Sequence, residues 1–348
     1  MARIRLPIAA PPWEALYSEE NPAPQDRRDV FEVLGIVDGG ASRRGSTYYK
    51  TLFTCPREFA LDNVLGLRPL VTPEYFTVGW LFHVVLEIYY NEIKCHQDKT
   101  PIPKQPYMPK TRIAWEHFWW GGSARAMQKA MAAVEPIMSE PGYRETWAIL
   151  ERITGHYFDV RWKNDRWRVI AVEETIEHNG DEEHDFEYSA RLDLIVQDYT
   201  LPNAMFIVEQ KTARTITAEL VDNYQMDLQI LGQNWLVQNV LDLRALPKLM
   251  GTYVDIVTKQ QQPKADRVTT NPSIRHINAF KDAIGSWSRM RAFYEGEDWP
   301  RALGKCAGAA RGYTKCKYYD VCHGHPDMGV DDWAAGDPPF GFTRKDVE

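Results

Sequence analysis

The sequence predicts an α/β core beneath a helical N-terminal layer, and two observations carry that reading. Apolar residues recur at helical spacing through the first half of the chain, whereas from residue 167 the runs become short, β-rich and partly alternating. The resulting order is helices, three strands, a helix, a strand and a helix, which suits a layered α/β domain.

Taken in order, the first forty-odd residues carry Pro11, Pro12, Pro22, Pro24 and the pair Gly39-Gly40, and read as a loosely structured arm. Thr47 to Leu67 reads as helical. Residues 77–94 (TVGWLFHVVLEIYYNEIK) form a helix, followed by a Pro- and Lys-rich loop at 99–110. Two helical stretches come next, at 112–138 and 144–163, the second lined by Trp147, Leu150, Ile153 and Tyr157. Strands are predicted at 167–176, 186–197 and 204–211, the first two joined through the turn signal Asn179-Gly180. A helix at 217–241, a strand at 250–258 and a helix at 277–295 complete the pattern. The chain divides into an arm (1–46), a main domain (47–300, with a helical insertion around 100–163) and a C-terminal cysteine loop and tail (301–348).

At 348 residues, with 44% hydrophobic and 26% charged, the chain is long and apolar enough to bury a full core. It has no 18-residue apolar run and no signal peptide, so neither membrane insertion nor secretion is indicated. The compartment expected is the cytoplasm, where thiols stay reduced and cysteines serve as metal ligands more often than as disulfides. The net charge of −7 argues against a protein that coats nucleic acid by charge alone. It leaves room for an enzyme that confines its phosphate contacts to a groove.

Asp193, in SARLDLIV, and Glu209-Gln210-Lys211, in FIVEQKT, lie within apolar β-like runs. Charges are costly in such strands unless they are paired or bind a metal. Glu209 and Lys211 are two apart on one strand and face the same side. Two carboxylates and a lysine that converge are what phosphodiester hydrolysis requires. The carboxylates hold Mg²⁺ or Mn²⁺, and the lysine stabilises charge or positions the attacking water. The plain alternative is a structural Glu209–Lys211 ion pair with Asp193 at a strand end. His83 shares a helical face with Glu87, and could equally be a satisfied core histidine. Gln225, on the helix after the Glu-x-Lys strand, could bind a phosphate, hold a water or sit solvated. Glu173, adjacent to Glu174, is a further acidic candidate.

There are five cysteines. Cys306, Cys316 and Cys322 form C-x9-C-x5-C, and such a glycine-rich cluster suggests a metal loop. Cys55, in TLFTCPREFAL, is the candidate fourth ligand, with Cys95 left over. The spacing does not choose iron over zinc, and leaves His323 open as a zinc ligand.

The order of a helix with His83, a strand with Asp193, a strand with Glu209-x-Lys211 and a helix with Gln225 resembles the PD-(D/E)XK nuclease superfamily, in its RecB-type exonuclease branch. Gly79, His83 and Glu87 match the branch's G-x-x-x-H-x-x-x-E. Ala190-Arg191-Leu192-Asp193 matches G-R-I-D with Ala for Gly, and Glu209-Gln210-Lys211-Thr212 matches D-x-K-T. Of Q-x-x-x-Y only Gln225 is matched, since Gln229 stands where Tyr is usual. The resemblance spans about residues 47 to 323. It implies a central mixed sheet flanked by helices, with Mg²⁺ or Mn²⁺ bound by His83, Asp193, Glu209 and the carbonyl of Gln210. Lys211 would be catalytic together with Asp193, Glu209 and Gln225, and Glu87 would orient His83 or a metal-bound water. It also implies a four-iron, four-sulfur (4Fe–4S) cluster on Cys55, Cys306, Cys316 and Cys322, because cluster-bearing members split their cysteines in this way, one in a C-P-R-like helix and three after the core. Such a clip would join the N- and C-terminal parts and turn metal binding energy into folding energy.

The partner implied is DNA, as ends or single strands, in recombination, repair, phage DNA processing or CRISPR adaptation, with partner proteins of those systems, in a bacterial or phage-infected cytoplasm. Phe118-Trp119-Trp120 and Tyr318-Tyr319 could stack on bases at roughly 1–3 kcal/mol each. Arg43-Arg44, Lys104, Lys110 with Arg112, Lys315 and Lys317 are candidate phosphate contacts, or simply solvated charge. Two rival readings are a non-catalytic DNA-binding or assembly subunit that keeps the fold and cluster, and a zinc-clipped protein of unrelated function.

Overall fold

The first predicted helix is broken, and the break is set by proline. In the computed structural model, helix α1 (Ser46–Thr54) stops at Cys55, which is extended (φ −159°), and Pro56 opens the short helix α2 (Pro56–Phe59). A residue before proline is driven out of the α region, while proline itself suits the first position of a helix. Cys55 therefore caps α2 rather than lying inside a helix. A π-turn (Ala60–Val64) and a short strand, β1 (Leu67–Pro69), follow. The residues described are 44–69, 74–103, 112–138, 144–161, 164–181, 184–201, 204–240, 248–295, 298–302, 306, 316–324, 330–339 and 342–344. Nearly all of the predicted N-terminal arm lies outside them.

Helix α3 (Glu74–Lys99) outruns the predicted 77–94 at both ends. The predicted helix at 112–138 divides at Gly121-Gly122 into α4 (Arg112–Trp120) and α5 (Ser123–Met138), and α6 (Arg144–Arg161) follows. Strands β2 (Trp167–Asn179), β3 (Glu187–Asp198) and β4 (Ala204–Ala213) then form as predicted. The predicted helix at 217–241 is two helices, α7 (Ala218–Asn223) and α8 (Leu228–Val240), separated by a 3-10 turn (Tyr224–Met226). Asp227 starts the second, its carboxylate accepting the Gln229 N–H at 2.8 Å. Next come β5 (Lys248–Thr258), β6 (Ala265–Thr270), α9 (Ile274–Glu295), α10 (Tyr319–Gly324), α11 (Val330–Ala335) and β7 (Phe342–Arg344). Strand β6 has a single buried hydrophobic residue, Val268, so its sequence gives no strand signal.

The central sheet is mixed, with order β2-β3-β4-β5-β6; β4 and β5 are parallel and the other pairs antiparallel. One face is covered by α3, α5 and α6, whose Phe82, Val85, Ala130 and Tyr157 meet Leu194, Val208 and Val257. The other face is covered by α8 and α9, whose Trp235, Leu236 and Phe280 meet Leu192, Ile207 and Met205. A third core joins the two ends of the chain: Leu52, Phe59, Leu61 and Leu67 pack on Trp299, Tyr318, Cys322 and Trp333. There β1 pairs antiparallel with β7, and Tyr318 Oη donates to the Leu67 carbonyl at 2.6 Å.

The aromatic candidates for base stacking are part of this framework. Phe118 and Trp119 are buried with Trp115 and Tyr199, and Tyr318 is buried beneath the β1–β7 ribbon, so none of the three presents a face to a base. Tyr319 stacks on His323. Of the basic candidates, Arg44 pairs with Glu187, Arg112 with Glu116 and Lys317 with Asp62. Arg43, Lys104, Lys110 and Lys315 lie outside the described residues. No helix among the described residues is long and apolar enough to cross a membrane.

Candidate active site

The ladder between β3 and β4 ends at Leu194↔Val208. The next antiparallel pair would be Asp193 and Glu209, and there the strands part. Asp193 Oδ2 reaches across the gap to accept the Gln210 N–H at 2.7 Å, replacing the lost ladder bond. The alternation of β3 slips at the same place. Leu192 packs in the α8 layer, while Leu194, two residues on, packs in the α3 layer. On β2, Glu173 has φ +50°, and it is missing from the ladder at the position facing Asp193. A non-glycine residue held there stores strain, and such strain clusters at functional sites.

Two helices deliver side chains to this opening. From α3, His83 Nδ1 comes to 3.6 Å from Asp193 Oδ2. Gly79, one turn earlier, allows this approach: a Cβ there would stand 3.3 Å from Thr212 Oγ1 on β4. From α8, Gln229 and Gln233 donate to the two oxygens of Glu209, at 2.8 and 2.6 Å. Lys211 Nζ lies 2.5 Å from Glu209 Oε1 and donates to Gln229 Oε1 at 2.9 Å. Arg191 holds the remaining acids, with its Nε 2.6 Å from Glu173 and its Nη2 3.4 Å from Glu87.

His83, Asp193, Glu209, Gln210 and Lys211 are thus brought together. Glu87 Oε2 lies 3.4 Å from Arg191 Nη2. Gln225 stays on the 3-10 turn, where it donates to the Thr269 carbonyl at 3.4 Å; the amides at Glu209 are one and two helical turns further on. Their sequence signal is Gln229-x-x-x-Gln233, two amides on one face of an apolar helix. Of the two adjacent acids, Glu173 faces inward and Glu174 is exposed.

Burial raises Glu173 to about 8, offset in part by Arg191 and reinforced by Glu87 and Glu209. Burial also raises Asp193 well above the usual carboxylate range, with Glu209 and Glu173 adding to the effect. For Lys211 burial acts downward, but Glu209 and Asp193 outweigh it and hold the ammonium charged. Carboxyl groups raised by burial and by one another, gathered in a cleft, mark a candidate site for a cation that would relieve their repulsion. Among the described residues, one ligand atom each from His83, Glu173 and Asp193 lies within 4.8 Å of the others. An imidazole and two carboxylates suit a divalent ion.

The profile of the PD-(D/E)XK nuclease superfamily matches residues 46–323. The chain belongs to this superfamily. Its members are metal-dependent nucleases, and the opening between β3 and β4 offers an imidazole and carboxylates of the kind such a metal takes. No curated protein matches the sequence. Among solved structures, one named Putative exonuclease, from Eubacterium rectale, is 10% identical, with a TM-score of 0.31 over 69% of this chain and 86% of that one. The protein SSO0001 is 11% identical, with a TM-score of 0.25 over 59% of this chain and 84% of its own.

None of the five cysteines is in a disulfide. Cys55 and Cys322 are buried, Cys306 and Cys316 are half-buried, and Cys95 is exposed at the end of α3. Burial raises the Cys322 thiol, Arg57 and Arg301 pull it down, and Cys55 and Cys306 push it up, so these three thiols share one electrostatic neighbourhood. Cys316 packs against the same apolar core as Cys322. Among the described residues, no three cysteine sulfurs lie within 4.8 Å of one another. His323 is exposed.

Proposed function

We propose that this nuclease is a Mg²⁺- or Mn²⁺-dependent deoxyribonuclease of RecB type that acts as an exonuclease on DNA ends or single strands. The observation that carries the reading is the meeting of His83, Glu173 and Asp193 beside a charged Lys211 that is locked to Glu209. His83, Asp193 and Glu209 would hold the ion, with Glu173 as an added carboxylate. The Gln210 carbonyl is available too. In an extended strand the N–H and C=O of one residue leave on the same edge, and the Gln210 N–H already points at Asp193. A bound ion supplies a polarised phosphate and a more acidic water. Lys211 then stabilises charge at the phosphate or orients that water, while Gln229 and Gln233 fix Glu209 and Arg191 fixes Glu173 and Glu87.

Residues 47–300 form the nuclease domain in this reading, and 301–348 close it against Cys55. A 4Fe–4S cluster on Cys55, Cys306, Cys316 and Cys322 is supported by the shared core of the chain ends, and by Arg57 and Arg301 beside Cys322, which would offset thiolate charge. Protein purified without oxygen is expected to be brown and to contain iron; colourless protein holding zinc instead would remove the cluster. Work in recombination, repair, phage DNA processing or CRISPR adaptation follows from the activity.

The test is degradation of end-labelled linear and closed circular DNA, with Mg²⁺ and with a chelator. Loss of linear DNA alone, only with the metal, is expected. Equal attack on circles would make the enzyme an endonuclease, and attack in chelator would overturn the metal centre.

A further inference from the structure

Outside the nuclease centre, one other set of ligand-bearing side chains converges among the described residues. One ligand atom each from His178, Asp181 and His184 lies within 4.8 Å of the others. We propose that these residues form a second metal site, for a Zn²⁺-class transition-metal ion, at the tip of the β2–β3 hairpin.

The backbone builds the convergence. Strand β2 ends at Asn179, Gly180 turns the chain with φ +82°, and β3 resumes at Glu187. The Asp181 N–H donates to the His184 carbonyl at 2.9 Å, and the His184 N–H donates to Asp181 Oδ1 at 2.6 Å. This reciprocal pair folds the loop onto itself and holds Asp181 Oδ1 3.4 Å from His184 Nδ1. Each ligand follows the last by three positions, with two residues between them.

The rings are fixed by packing. The two imidazoles meet at nearly right angles, with centroids 5.8 Å apart, and both stand edge-on against Trp235 of α8, at 4.9 and 5.6 Å. Phe186, packed against Trp235, also stands edge-on to both imidazoles. An apolar wall behind oriented imidazoles is a common surround for a bound ion. Aromatic packing alone accounts for the ring faces. It does not account for three ligand atoms turned toward one another, nor for His178 Nε2, which is buried with no hydrogen-bond partner.

The donor set decides the class of ion. Two imidazoles and one carboxylate suit Zn²⁺ and its neighbours, whereas Mg²⁺ and Ca²⁺ prefer oxygen. The site is separate from the nuclease centre. His178 is five residues from Glu173 along β2, about 17 Å at ~3.3 Å per residue. An ion here would clip the end of the hairpin whose other end carries Glu173 and Asp193, and would tie it to α8 through Trp235. Its role is to hold the register of the strands that carry the nuclease acids.

The test is Zn²⁺ uptake and thermal melting of the full chain in saturating Mg²⁺, so that the nuclease centre is already filled. Wild type and Asp193→Asn should each take up one more equivalent of Zn²⁺ than His178→Gln/His184→Gln, and Zn²⁺ should raise the melting temperature only of proteins that keep both histidines. Equal stoichiometry in all three would overturn the site. Should the double variant fail to fold, Asp181→Asn, in the exposed part of the loop, is expected to weaken Zn²⁺ binding at least about 10-fold. Unchanged affinity in that variant would equally overturn the proposal.

Discussion

Replacing Lys211 with alanine is expected to slow DNA hydrolysis on the order of 10²–10³-fold, the scale on which loss of one preorganised charge-stabilising donor acts. The geometry explains why the loss should fall on catalysis. Lys211 is positioned from two sides, by Glu209 at 2.5 Å and by Gln229 at 2.9 Å, and its neighbouring carboxylates keep it charged. Its removal does not orphan Glu209, which keeps the Gln229 and Gln233 amides on its two oxygens. The variant should therefore melt near wild type and still bind Mg²⁺ by calorimetry. Arginine is a poor replacement, because its planar fork does not fit where a compact ammonium sits between Glu209 and Gln229. Wild-type rates in Lys211→Ala would reduce the pair to a structural salt bridge, which is the alternative the sequence left open.

What the sequence made legible was charge out of place. Asp193, Glu209 and Lys211 stand out because they interrupt apolar strands, and that contrast survives in one dimension. Two things are not legible there. The stretch 217–241 reads as one helix carrying Gln225, whereas the helix breaks at the 3-10 turn and restarts at the Asp227 cap, and the amides that meet Glu209 are Gln229 and Gln233. The choice between Glu173 and Glu174 depended on a positive φ at Glu173, which no side-chain pattern reports. Aromatic runs misled for a related reason. Phe118-Trp119 reads the same whether it faces a base or a core, and here it faces a core. The cysteine spacing gave no sign that the segments flanking the sheet share one apolar cluster, in which Leu52 and Phe59 meet Trp299, Cys322 and Trp333.

Replacing Arg267 with methionine is expected to cost about 3–5 kcal/mol of stability, the penalty for breaking a buried ion pair by removing one partner. Arg267 is bidentate twice over. It bonds both oxygens of Asp255 at 2.6 and 2.8 Å, and both oxygens of Asp165 at 2.6 and 3.0 Å. Its guanidinium also lies 4.3 Å from the Trp167 ring centroid, so the substitution loses packing as well as charge. Asp255 would keep Arg161, whose Nη2 lies 3.4 Å away, and the Tyr157 hydroxyl at 3.1 Å, whereas Asp165 would lose both of its guanidinium bonds. The pH dependence gives the sign. Burial raises Asp165 to about 6 even with Arg267 pulling it down. A raised acid contributes stability that is complete below its unfolded value near 4 and is lost as pH rises through about 6. Without Arg267 the folded value climbs further, so the penalty should be larger at pH 7.5 than at pH 5. Urea denaturation of Arg267→Met at the two pH values checks this, and Arg267→Met/Asp255→Asn should recover part of the loss. An equal penalty at both pH values would mean that lost packing, not an uncompensated acid, is the cause. Asp255 sits on β5, which pairs with β4 through Glu209↔Val254 and Lys211↔Ile256. The network therefore holds the strand against which Lys211 is registered, and on the proposed role of Lys211 its failure should reach hydrolysis through that register, without any contact with DNA.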